Sequence, residues 1–73
     1  MKYAQKVGDM IMAEESTWLY SSCDPHTMQV VRIINKGALG IVLNENGNNR
    51  YVKASFADGP GWIHSTFLKT IRP

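Results

Sequence analysis

The stretch that most constrains this chain is residues 36–68, KGALGIVLNENGNNRYVKASFADGPGWIHSTFL. Apolar side chains alternate at Leu39, Ile41 and Leu43, and again at Val52, Ala54 and Phe56, which is the period of a strand with one face in a core and the other in water. Each triplet is therefore assigned to the buried face of its strand. That parity puts Tyr51, Lys53 and Ser55 on the outer face of the second run. Between and after the runs stand Asn46-Gly47 and Asp58-Gly59, dipeptides that accept the positive φ values of a tight hairpin. Three short antiparallel strands joined by two turns account for the whole stretch.

The residues before it read as an approach to that unit. Tyr3 and Val7, four apart, would suit a helix, but Gly8-Asp9 breaks the pattern after fewer than two turns, too short to be stable alone. Met10, Met12 and Ala13 instead begin a first strand, with Glu14, Glu15 and Ser16 turned to solvent. Trp18-Leu19-Tyr20 follows, rich in residues that suit a pleated surface. Residues 21–27, SSCDPHT, form a loop, because Pro25 lacks an N–H donor and restricts Asp24 while the neighbours are turn formers. VVRII at 30–34 is a β-branched run interrupted by Arg32 and ended by the turn Asn35-Lys36-Gly37. Ser65, Thr66 and Phe67 give a polar-aromatic step that suits a single helical or 3-10 turn before a last strand at residues 68–71. Five strands of about 5 residues each predict an all-β fold, a small five-stranded barrel with that 3-10 turn near its C-terminus, since closure removes exposed edges. Residues 1–16 are read as an N-terminal strand or arm, and residues 17–73 as the barrel.

Size and composition narrow the function classes. A chain of 73 residues has room for one domain, which buries only about 60% of the surface its unfolded chain exposes. Cys23 is the single cysteine, so no internal disulfide forms and a reducing, cytoplasmic setting is expected. The N-terminal apolar run, residues 10–13, falls short of the roughly 7–15 apolar residues of a secretory leader and the roughly 20 of a membrane span. A net charge of +2 is too small to announce nucleic-acid binding by itself.

Four motifs in order resemble the Src-homology-3 barrel, in its eukaryotic and bacterial forms, across residues 18–71. Trp18-Leu19-Tyr20-Ser21-Ser22 is similar to the family's A-L-Y-D-Y strand. Asn35-Lys36-Gly37 leading to Val42-Leu43 is similar to its K-K-G-D-x-x-x-V-L stretch, and Tyr51-Val52-Lys53-Ala54 to its W-W-K-A strand. The run GWIHSTFL at residues 61–68 matches the closing G-x-x-P-S-N-Y-V, and resembles more closely the G-W-V-H-S-S-Y-L ending of bacterial members. The resemblance implies a five-stranded barrel with a groove lined by aromatics, which in the eukaryotic family holds a proline-rich peptide in its extended helix. The groove positions that carry over are Tyr20, Tyr51, His64 and Phe67. Ser22 stands where the family has its second tyrosine, His64 where it has the groove proline, and Asp24 alone remains of the loop's acidic residues. The barrel carries over, and these departures weaken the expectation that its groove reads proline-rich peptide, which the sequence leaves open.

The expected function is that of a non-catalytic protein-binding module, acting as adaptor, assembly subunit or inhibitor through the aromatic surface of Tyr20, Tyr51, His64 and Phe67. The partner is a protein or peptide; the oligomeric state stays open, and no membrane is involved. Trp18 and Trp62 are large enough to cap the barrel ends, and His64 is read as a polar edge of the groove. The alternative is nucleic-acid binding through a basic rim of Lys36, Arg50, Lys53, Lys69 and Arg72, with Tyr51 among them to stack on a base; the Gly37 to Val42 run GALGIV is similar to the KOW segment of ribosomal and transcription proteins. No enzyme is expected. Ser65 and His64, as neighbours on a strand, point to opposite faces and make no nucleophile–base pair. The type II plasmid dihydrofolate reductases share this kind of barrel, but their V-Q-I-Y run has no counterpart here. No metal or cofactor is expected either, since one Cys and two His fall short of a four-ligand structural site.

Overall fold

The computed structural model describes residues 5–45 and 50–71. These residues are all-β, with one sheet of seven strands: β1 Met10–Ala13, β2 Thr17–Tyr20, β3 Val30–Ile34, β4 Leu39–Asn44, β5 Tyr51–Phe56, β6 Gly59–His64 and β7 Leu68–Ile71. The 3-10 turn lies at Ser65–Phe67, where the sequence places it. The pairings are antiparallel, and the hydrogen-bonded order is β3-β2-β6-β5-β4-β1-β7. The Asn46-Gly47 turn lies outside the described residues.

Seven strands replace the expected five, because each apolar run around the three-stranded unit, at residues 10–13, 18–20, 30–34 and 68–71, is a strand of the same sheet. Residues 17–34 fold into a hairpin of their own, β2 against β3 from Thr17↔Ile34 to Tyr20↔Val30, with a bulge between Leu19 and Tyr20. That hairpin joins the rest of the sheet through the pair Tyr20↔Trp62 on β6. β1, where the sequence places a first strand, is inserted between β4 and β7. The β2–β3 loop is tied by its own polar groups: Asp24 Oδ1 accepts from the His26 N–H at 2.9 Å, and the Asp24 carbonyl accepts from Thr27 and Met28. Its only carboxylate is thus spent on the turn and not on a ligand.

Ten buried side chains from all seven strands make one apolar cluster, centred on Ile11, Leu19, Val42 and Ile63, with Phe56 and Leu68 among the rest. A single sheet whose outer strands β3 and β7 contribute Ile34 and Leu68 to the same cluster has to curl around it. Arg32 assists. It shares the inward parity of Ile34 on β3, and its guanidinium donates to the Gly59 carbonyl at 2.6 Å, tying the outer hairpin to the start of β6.

On β5 the expected face is the buried one, Val52, Ala54 and Phe56. β4 reverses expectation. Leu39, Ile41 and Leu43 point outward, while Gly40 and Val42 face the core. The cause is volume. A Cβ on Gly40 would come within 2.8 Å of the Ser55 carbonyl and 2.9 Å of the Phe56 ring, so the ring of Phe56 occupies the space a side chain at position 40 would need. The β5–β6 hairpin also differs in detail: the two-residue loop is Ala57-Asp58, closed by the pair Phe56↔Gly59, and the positive φ falls on Gly59 (122°) as the first residue of β6.

Candidate functional site

The antiparallel register of β5 and β6 sets Tyr51 directly opposite His64. The parity that buries Val52 and Ile63 turns both of these rings to the outer face. β2 brings Tyr20 onto the same face by pairing with Trp62, and the 3-10 turn after His64 delivers Phe67. The four rings form one continuous row with edge-to-face contacts: Tyr20 to Tyr51 at 5.8 Å and 76°, Tyr51 to His64 at 5.1 Å and 74°, His64 to Phe67 at 6.0 Å and 68°. These separations and angles are the favoured geometry for aromatic pairs. All four rings are half-buried, so each is packed on one side and open on the other.

His64 is held as well as placed. It is the N-cap of the 3-10 turn, and its Nδ1 accepts from the Thr66 N–H at 3.1 Å. An accepting Nδ1 leaves the proton of the neutral ring on Nε2. Burial raises the Tyr51 phenol above its ordinary value of 10.0, and the neighbouring Tyr20 adds to the effect. The Tyr51 phenol is therefore neutral at physiological pH.

Beside it lies a groove of about 520 Å³ lined by Ser16, Thr17, Trp18, Tyr20, Ile33 and Phe67. Tyr20 and Phe67 belong to both row and groove. No Lys, Arg, Asp or Glu stands in its lining. Its outer wall is the cross-strand pair Trp18↔Ile33, with Trp18 55% and Ile33 60% exposed. Trp18 thus does not cap a barrel end as the sequence suggested; it stands open in the groove. Trp62 is half-buried on the outer face of β6, in register between Tyr20 and Lys53. The signal for Trp18 was available in the alternation of β2: with Leu19 inside, Trp18 and Tyr20 must share the outside. Ile33 carried the opposite signal, because Arg32 on the other parity of β3 reads as the outward residue, whereas it is Ile34 that is buried.

The basic residues do not assemble in the same way. Lys36 and Lys69 line one groove with Met12 and Glu14. Arg50, whose backbone is left-handed at φ 68°, lines another with Tyr51, Gln5 and Glu45. Lys53 is half-buried opposite Trp62, and Arg72 lies outside the described residues. Three of the described cations therefore share their grooves with a carboxylate. Among the described residues there is no group of three or more His, Cys, Asp or Glu placed to hold a metal ion, and no helix long and apolar enough to cross a membrane.

No protein-family model matches the chain, and neither a curated protein nor a solved structure matches it.

Proposed function

We propose that this chain is a small, non-catalytic binding module of the Src-homology-3-like barrel type, which engages a protein partner through Tyr20, Tyr51, His64 and Phe67. The observation that carries the reading is the unbroken edge-to-face row of these four rings, continuing into an uncharged groove walled by Trp18 and Ile33. Rings packed on one side lose little freedom when the other side is covered, so they supply contact area at low entropic cost. The neutral lining favours an uncharged, partly apolar segment of the partner over a basic or acidic one. Such a module suits the role of adaptor, assembly subunit or inhibitor. The free Cys23 thiol fits a cytoplasmic setting.

Capture from native lysate by the wild-type chain and by Tyr51→Ala and Phe67→Ala variants, each repeated after nuclease treatment, tests this. Protein partners that survive nuclease and are lost with either variant are the expected result. Partners retained in full by both variants would overturn the reading. Capture that disappears with nuclease, falls steeply with salt and needs Arg50 or Lys53 would instead support the nucleic-acid alternative.

A further inference from the structure

The reversed parity of β4 leaves a second surface that the aromatic row does not use. Met10 and Met12 of β1, Leu39, Ile41 and Leu43 of β4, and Ile71 of β7 all point outward. The register makes them neighbours: Met10 stands opposite both Ile41 and Ile71, and Met12 opposite Leu39. Leu39 is 54% exposed, Met10 47% and Ile41 46%. The polar outer residues Lys53 and Ser55 of β5 separate this face from the aromatic row.

We propose that two copies of this chain pack face to face through the outer surface of β7, β1 and β4, related by a two-fold axis that lies in the interface at right angles to the strands. Three arguments favour a second copy as the occupant. The first is self-complementarity. With the axis over the Met10–Ile41 row, rotation lays β4 antiparallel on β4, sets Ile41 over Ile41 and Leu39 of one copy over Leu43 of the other, and leaves the outward Lys69, opposite Met12, at the rim.

The second argument is charge. Just past the end of β4, which closes at Asn44 after a bulge between Val42 and Asn44, lies the exposed Glu45, whose Oε2 accepts from the Val7 N–H at 2.8 Å and is fixed at that end. At the opposite end, before Leu39, is the turn carrying Lys36, and Lys69 borders the same groove. The rotation brings Lys36 of each copy near Glu45 of the other, twice over. A two-fold parallel to the strands would instead set Lys36 near Lys36 and Glu45 near Glu45, which is repulsive. Glu14 beside Lys36 and Arg50 beside Glu45 soften the local charge without reversing the order.

The third argument is area. Four side chains at about half exposure, with Ile71 and the half-buried Met12 beside them, offer roughly 400 Å² of apolar surface per copy. With a polar rim, two copies reach about 1,000 Å² in total, the lower bound of specific interfaces. A domain of 73 residues without a disulfide gains stability from such an association. The expected dimer is weak and concentration-dependent.

Sedimentation or light scattering of the full chain, from micromolar to millimolar concentration, tests the proposal. The expected result is a reversible monomer–dimer equilibrium in which Ile41→Lys raises Kd about tenfold or more. Ile33→Lys, on the groove side, leaves Kd unchanged. Lys36→Glu and Glu45→Lys each weaken the dimer, and the double variant restores it. Thermal unfolding of the monomeric variants checks that the fold is kept. A chain that stays monomeric at millimolar concentration overturns the proposal, as does a dimer dissociated by Ile33→Lys and not by Ile41→Lys. A dimer that is intact in the double variant no more than in the singles overturns the axis.

Discussion

β4 and β5 are adjacent, antiparallel and written in the same alternating code, yet they use it in opposite senses. In β5 the bulky set, Val52, Ala54 and Phe56, enters the core. In β4 the bulky set, Leu39, Ile41 and Leu43, faces out, and the core receives Gly40 and Val42. Alternation shows that a segment is a strand with two unlike faces. It does not show which face is inside when both are apolar enough to be buried. The decision lies with the neighbour: Phe56 fills the space over Gly40, and a large side chain there would displace the ring or the β5 backbone.

This contrast can be broken most forcefully at Phe56. Phe56→Ala should lower the unfolding free energy by about 3–5 kcal/mol, measured by denaturant titration, because it empties the space that Gly40 exists to leave. Gly40→Ala should cost about 1–3 kcal/mol by overpacking. In the Phe56→Ala background the same change should cost less than it does alone, a coupling that a double-mutant cycle reads directly. Additive effects would mean that the two positions do not share one space. Leu39→Gln, by contrast, should change monomer stability by no more than about 0.5 kcal/mol, although Leu39 is part of the apolar alternation on which the sequence reading rests.

The smallest expected effect belongs to the outer face of β5. The folded Tyr51 phenol titrates above its unfolded value, so its contribution to stability is complete below about pH 10 and is lost as pH rises through the folded value. Thermal unfolding should therefore decline on the alkaline side, and Tyr51→Phe should decline less steeply. An unchanged slope would place the phenol in ordinary solvent.

Much of the fold was legible before any coordinates. Pro25 marked the β2–β3 loop, Gly37 the turn before β4, and Ser65, Thr66 and Phe67 the 3-10 turn, each through local backbone chemistry. Tyr20, Tyr51, His64 and Phe67 were legible as a set through resemblance, and the structure brings them into one row. Trp18 was misjudged because its size suggested packing, although the parity of Leu19 already put it outside. The strand count was misjudged because it followed from the closure of a small barrel, although the runs at residues 10–13, 18–20, 30–34 and 68–71 were each legible as strand-like.

What this sequence determined by itself is the position of strands and turns, since those depend on φ, ψ and side-chain period within a few residues. Tertiary structure alone decided the orientation of β4, the insertion of β1 between β4 and β7, and the alignment of four rings from β2, β5, β6 and the 3-10 turn. Each of those depends on which volume a distant strand has already filled, as Phe56 does at Gly40. A residue's period is local, whereas the space available to it is not.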